Sequence, residues 1–185
     1  RHVRSTPAIS QEDAKLDIVL SEPQIVEREA QAYAYVRRTI AMNDLTKVAD
    51  KMSEDFFAWL AQRGISPAGA PFFKYNSFDG RGKMELEWGA PIPAGMKGDD
   101  HVKAGTLPAG RYASAMHTGP FSGLREATGE VLEWIEANNL ELDQKTSRNG
   151  ESFACRLEIY LTDPRAEPDS RKWQTEITMR LMDET

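Results

Sequence analysis

Two stretches of this 185-residue chain carry the same succession of patterns: an extended segment, an amphipathic helix, then two strands. In the first, residues 33–38 are rich in Tyr and Val, and Asn43 or Asp44 suits a helix cap. Leu45, Val48, Met52, Phe56, Trp59 and Leu60 then recur at three- and four-residue spacing, and Gly64 suits a left-handed stop. Strands at 72–78 and 84–88 flank the turn-forming Asp79-Gly80-Arg81-Gly82. In the second, residues 112–118 are extended and Ser122 suits a cap. Leu124, Val131, Trp134 and Ile135 form the helical stripe, and strands at 152–162 and 173–181 follow. Phe57-Ala58-Trp59-Leu60 matches Leu132-Glu133-Trp134-Ile135 at 134 − 59 = 75 positions, and Tyr33 matches Tyr112 at 112 − 33 = 79. That near-constant offset reads as a diverged duplication.

Two such units pair naturally into one sheet. The expected fold is α+β, a duplicated βαββ unit forming an antiparallel sheet with two helices on one face and a central ligand groove on the other. The repeats span about 16–93 and 101–182, and residues 1–15, polar and aperiodic, read as a flexible N-terminal arm. Residues 89–110, punctuated by Pro and Gly, read as a linker with one short strand at 102–107.

The stretch Ser152–Pro164 sets the site. Phe153, Cys155, Leu157, Ile159 and Leu161 alternate with Arg156, Glu158, Tyr160 and Thr162. The apolar set is expected to pack on the helices. The other set faces either solvent or a ligand groove holding Glu158 and Tyr160.

Composition narrows the function. With 29 acidic against 23 basic residues the chain lacks the basic balance of a nucleic-acid surface, and an acidic protein tolerates cationic ligands. The single cysteine, Cys155, suits a reducing, cytoplasmic setting and reads as a buried thiol. No apolar run reaches the 18 or more residues of a membrane span. No phosphate-binding glycine loop, Cys-x-x-Cys or His-Glu-x-x-His occurs. His2, His101 and His117 are scattered, so no metal site is expected, and His117 reads as a turn residue. Glu85 and Glu87 read as solvated strand residues and Asp99-Asp100 as a solvated turn. Trp59 and Trp134 read as equivalent core residues, while Trp88 and Trp173, at strand ends, read as core or as ligand wall.

The run Leu107-Pro-Ala-Gly-Arg-Tyr-Ala-Ser-Ala-Met-His-Thr-Gly-Pro-Phe-Ser-Gly-Leu124 resembles the GyrI-like small-molecule-binding family, which includes effector-binding domains of AraC-type and MerR-type regulators. The resemblance continues through Trp134, Leu157-Glu-Ile-Tyr-Leu161 with Asp163-Pro164, and Trp173-Gln-Thr-Glu-Ile177. It extends more loosely to the first half through Tyr33-Ala-Tyr-Val-Arg-Arg and Trp88-Gly-Ala-Pro-Ile. It implies the duplicated βαββ fold and Glu158 on the groove floor; regulators of the family carry a DNA-binding segment before the domain, and about 15 residues are too few for a helix-turn-helix, so a stand-alone domain is expected. The ligand-binding residues it suggests are Glu158, Tyr160, Tyr112, Tyr33, Tyr35, Trp88 and Trp173. The ligand class is small, aromatic or cationic, with no cofactor, nucleic acid or membrane partner. Alternatives are a hydrolase of cyclopropane-bearing electrophilic toxins with Glu158 activating water, or a haem-binding (SOUL-like) or protein-binding module.

Overall fold

A computed structural model of the protein describes residues 19–184. The expected arm lies outside the described residues. Among those described, eleven strands and two α-helices follow one another in chain order. They are β1 (Val19–Leu20), β2 (Gln24–Arg28), β3 (Gln31–Ala41), α1 (Leu45–Gln62), β4 (Phe72–Phe78), β5 (Lys83–Pro91), β6 (Lys103–Leu107) and β7 (Gly110–Thr118). After them come α2 (Leu124–Ala137), β8 (Gln144–Ser147), β9 (Gly150–Phe153), β10 (Arg156–Tyr160) and β11 (Gln174–Arg180).

One antiparallel sheet runs β1-β7-β11-β10-β4-β5-β3-β6, with β2 also on β7 and the β8–β9 hairpin attached to β4. The six inner strands read the same from either end if β3, β4 and β5 are exchanged for β7, β10 and β11. This is the duplicated βαββ unit, and its halves are related by a pseudo-two-fold axis between β4 and β10. The outer strands obey the same rule. β2, which leads the first half, pairs with β7, and β6, which leads the second, pairs with β3. Val26 lies opposite Tyr112 and Gly105 opposite Tyr33, so both the leaders and their partners keep a spacing of 105 − 26 = 112 − 33 = 79.

Both helices pack on the same side. Met52, Phe56, Trp59 and Leu60 of α1 join Ala34, Val36, Phe73, Leu86, Trp88 and Ala90 of the sheet. Leu124, Ala127, Val131 and Ile135 of α2 join Ala113, Ala115, Ile177 and Met179. Residues directly opposite one another on neighbouring strands share a face. One such row runs Ala115–Ile177–Glu158–Phe73–Trp88–Val36 across six strands. It ties the two helix-covered cores to a single surface.

The other surface carries a third apolar cluster of Tyr33, Phe72, Leu107, Tyr112, Cys155 and Leu157. The expected orientation of the 152–162 stretch is therefore reversed: Leu157 and Cys155 point away from the helices, and Glu158 and Tyr160 point toward them. The reason lies in Tyr33, Phe72 and Tyr112, which give the helix-free face an apolar core of its own. The stretch is also two strands rather than one. Gly150, at φ +111, turns β8 into β9, and a Cβ there would fall 1.9 Å from the Phe78 carbonyl oxygen. The chain breaks after Phe153, where the Ala154 N–H donates to the Asp143 carbonyl rather than to the ladder.

The helices match at their starts rather than at their tryptophans. Their first residues are 124 − 45 = 79 apart, and at that spacing Val48, Met52 and Phe56 correspond to Ala127, Val131 and Ile135. Trp59 lies in an additional C-terminal stretch of α1 and has no tryptophan counterpart. Its indole N–H donates to Asp99 at 2.7 Å and the Arg63 guanidinium stacks 4.0 Å from its ring centre. Asp99 is thus a structural clasp, held below the ordinary carboxylate range first by that indole and then by the Val102 and His101 backbone N–H groups. Trp134 is only half-buried.

Candidate functional site

Glu158 lies beside the pseudo-two-fold axis. At the spacing that carries Tyr33 to Tyr112, their ladder partners Pro91 and Arg180 correspond, hence Trp88 and Ile177, and hence Phe73 and Glu158. Phe73 and Glu158 also face each other directly across β4 and β10. Each is the other's counterpart, one apolar and one acidic.

Two residues further along each strand stand Tyr75 and Tyr160, also a corresponding pair. Both hydroxyls donate to the one carboxylate, Tyr75 to Oε1 at 3.1 Å and Tyr160 to Oε2 at 2.7 Å. Burial raises the Glu158 pKa above the usual carboxylate value, and the Tyr160 and Tyr75 bonds act against that rise. The cost of desolvating the charge wins over two good hydrogen bonds. Both phenols are pushed well above their ordinary range, first by burial and then by the adjacent carboxylate.

Aromatic rings wall this acid. Trp88 stacks on Tyr160 at 5.6 Å, and Phe73 meets Trp88 at 4.7 Å and Tyr160 at 6.0 Å, both edge-on. On the α2 side Phe121 lies 5.4 Å from Tyr160 and 4.7 Å from Trp173. On the α1 side Phe57 lies 6.4 Å from Trp88. The buried indole N–H of Trp88 has no acceptor among the described residues. The arrangement supplies π faces and one desolvated carboxylate.

Of the residues expected at the site, Glu158, Tyr160 and Trp88 come together, and Trp173 joins them through Phe121. Tyr33, Tyr35 and Tyr112 are not brought to Glu158. They lie on the helix-free face because Tyr33 and Tyr35 alternate with Ala34 and Val36, and Tyr112 with Ala113, whose side chains take the helix side. There the Tyr33 hydroxyl donates to Glu87 at 2.5 Å, and the Tyr112 hydroxyl donates to the Pro108 carbonyl at 2.6 Å. Glu87 is not solvated as expected: it is buried, and also accepts from Arg37 at 3.0 Å and Asn76 at 2.6 Å. Sequence reasoning missed Tyr75, Phe73, Phe57 and Phe121. Tyr75 was detectable, since Phe73-x-Tyr75 repeats as Glu158-x-Tyr160.

Two surface clefts lie elsewhere. One, of about 490 Å³, is lined by Leu132, Ile135, Leu140 and Leu142 with Glu136 and Glu141. The other, of about 360 Å³, runs along α1 past Trp59, Asp55 and His101. Neither assembles converging chemistry comparable to Glu158. No group of three or more His, Cys, Asp or Glu side chains is placed to hold a metal among the described residues.

A family model for a GyrI-like small molecule binding domain matches residues 21–182. The chain belongs to the GyrI-like family. Solved structures carry the same fold at low identity. The GyrI-like chain is similar to the EcmrR C-terminal domain at 18% identity and a TM-score of 0.68, covering 88% of this chain and 98% of that one. It is also similar to EcmrR in a complex with DNA, at 18% identity and a TM-score of 0.69, covering 94% of this chain and 62% of that one. SAV2435 bound to tetraphenylphosphonium matches at 12% identity and a TM-score of 0.58, covering 88% and 94% of the two chains. A hydrolase from Listeria innocua matches at 16% identity and a TM-score of 0.57, covering 93% and 98%. No curated protein matches the chain in sequence. No helix among the described residues is long and apolar enough to cross a membrane.

Proposed function

We propose that this GyrI-like domain binds lipophilic organic cations and flat aromatic molecules in the groove between α1 and α2, over Glu158. The observation that carries the reading is the single carboxylate beside the pseudo-two-fold axis, bridged by Tyr75 and Tyr160 and walled by Phe73, Trp88 and Phe121. A desolvated carboxylate holds its charge at a cost, and a cation seated on it offsets that cost. Aromatic faces add about 0.5–2 kcal/mol each by cation–π attraction. A hydrated inorganic ion gains nothing from the rings, so the groove favours large, weakly hydrated cations. The fold likeness to SAV2435 bound to tetraphenylphosphonium supports choosing that cation as the first probe. Titration with a panel of lipophilic cations and neutral aromatics tests the reading, and Glu158→Gln should weaken the cations selectively.

A second reading is hydrolysis of a strained, cyclopropane-bearing electrophile. It is favoured by one observation: burial raises the Glu158 pKa above the ordinary carboxylate value, beside two phenol hydroxyls, which makes it a stronger base than a free carboxylate. Glu158 would take the proton of an attacking water. Turnover of such an electrophile, abolished by Glu158→Gln, tests it.

A further inference from the structure

A second unmatched charge lies on the helix side of the sheet. Arg156 stands opposite Met179, which belongs to the core under α2, so it shares that side with Glu158, two residues further along β10. At the spacing that pairs Phe73 with Glu158, 158 − 73 = 156 − 71 = 85, its counterpart in the first half is Pro71. The charge therefore belongs to the second half alone. Arg156 and Glu158 do not pair with each other, because the carboxylate is taken up by Tyr75 and Tyr160. Among the described residues Arg156 enters no ion pair, and its one hydrogen bond is a long one of 3.4 Å to Gln144 Oε1. Most of its donors are left without a partner.

The guanidinium is held in place and stays within reach of solvent. It stacks 3.8 Å from the ring centre of Phe153, and Phe153 faces Gln144 directly across β8 and β9. Arg156 is partly buried, and none of its nitrogens is among the sealed, unpartnered polar atoms. Gln144 lines the open cleft of about 490 Å³ at the C-terminal end of α2. Burial draws the Arg156 pKa below the ordinary arginine value, against a weaker opposite pull from Glu151, and the group stays charged. A cation taken out of water without a counter-ion gains when an anion meets it. The planar fork of a guanidinium matches a carboxylate. Glu136 and Glu141 on the cleft rim, with Glu151, disfavour an anion of more than one charge.

We infer that Arg156 and Gln144 form a carboxylate subsite at the end of the groove, with the guanidinium fork and the Gln144 side-chain amide as donors. Resting on the proposed cation binding at Glu158, this narrows the ligand class to an aromatic cation that also carries one carboxylate. Two residues of strand rise set the two charges about 7 Å apart.

The test titrates the wild type, Arg156→Gln and Gln144→Ala by calorimetry with three cations: tetraphenylphosphonium, (4-carboxyphenyl)triphenylphosphonium and the methyl ester of the latter. One phenylene ring separates phosphorus from carboxylate in the second, close to the spacing on the strand. The ester adds the same ring substituent without the anion. The wild type should bind the carboxylate about tenfold more tightly than the ester. Arg156→Gln should erase that preference and bind tetraphenylphosphonium more tightly than the wild type does, because a like charge near the cation is gone. An arginine that only supported the fold would weaken all three ligands together. Gln144→Ala, at a partly exposed position, should cut the preference severalfold, and it decides the matter if Arg156→Gln does not fold. If the wild type binds ester and carboxylate alike, or if either variant keeps the full preference, the subsite is overturned while binding at Glu158 stands. If none of the three cations binds the wild type, both readings fall.

Discussion

Glu158 stands directly across the sheet from Phe73, its own counterpart in the first half of the molecule. A duplicated fold brings equivalent positions together only at its axis, so one exchange there places a lone charge in the middle of an aromatic surface. Tyr75 and Tyr160, equivalent in the same way, then reach that charge from its two sides. The site is asymmetric in charge and symmetric in support.

The carboxylate weakens the fold at neutral pH. A group whose folded pKa is raised contributes stability that is fully present below its ordinary value and lost as pH rises through the raised value. Glu158→Gln is therefore expected to be more stable than wild type at pH 8, by about 1.4 kcal/mol for each unit of the rise. The gap should close as the pH falls toward about 4. Urea denaturation at a series of pH values measures it, and a gap that widens on acidification contradicts it.

The two phenols should act as a unit. Tyr160→Phe and Tyr75→Phe each remove a donor to a desolvated carboxylate, at an expected cost of about 1–3 kcal/mol at pH 8. Each change should also push the Glu158 pKa higher, which carboxyl-resolved NMR reads directly. The double variant should depart from additivity, because the second removal acts on an acid that is already more often protonated.

Trp59→Ala and Trp134→Ala should differ, although sequence periodicity alone equates them. Trp59 is buried, bonded to Asp99 and covered by Arg63, so its loss should cost about 3–5 kcal/mol. Trp134 is half-buried and should cost clearly less. Chemical denaturation of both variants decides the point, and equal losses would restore the tryptophans as equivalents.

Cys155 should resist thiol reagents until the protein unfolds. It is 2% exposed on the helix-free face, and burial raises its pKa, so both access and thiolate are scarce. Rapid labelling of the native protein by a thiol-specific chromophore would contradict this packing.

The duplication and the order of the principal strands and helices were legible in the chain, because periodicity and spacing survive divergence. Which side of the sheet Glu158 faces was not. The alternation in residues 152–162 has one apolar set, and ordinary expectation assigns that set to the helices. Here the opposite face holds its own core of Tyr33, Phe72 and Tyr112, so both faces of β10 are covered and its polarity no longer reports direction. The same misassignment placed Tyr33, Tyr35 and Tyr112 beside Glu158. The strand break after Phe153 was hidden because β9 and β10 both pair with β4 and differ only in register. Glu87 looked solvated because its partners Tyr33, Arg37 and Asn76 come from β3 and β4, distant in the sequence.

The central claim is that the charge on Glu158 holds a lipophilic cation, and the pH dependence of affinity tests it most directly. Tetraphenylphosphonium should bind the wild type more weakly as the pH falls through the raised Glu158 pKa. Glu158→Gln should bind it weakly throughout, with a cost of about 2–5 kcal/mol at pH 8 and no comparable slope. Calorimetric titration of both proteins from pH 8 down to about pH 4, the ordinary carboxylate range, gives the two curves. Convergence at the acidic end is the predicted result; parallel curves, or a wild-type affinity indifferent to pH, would contradict it.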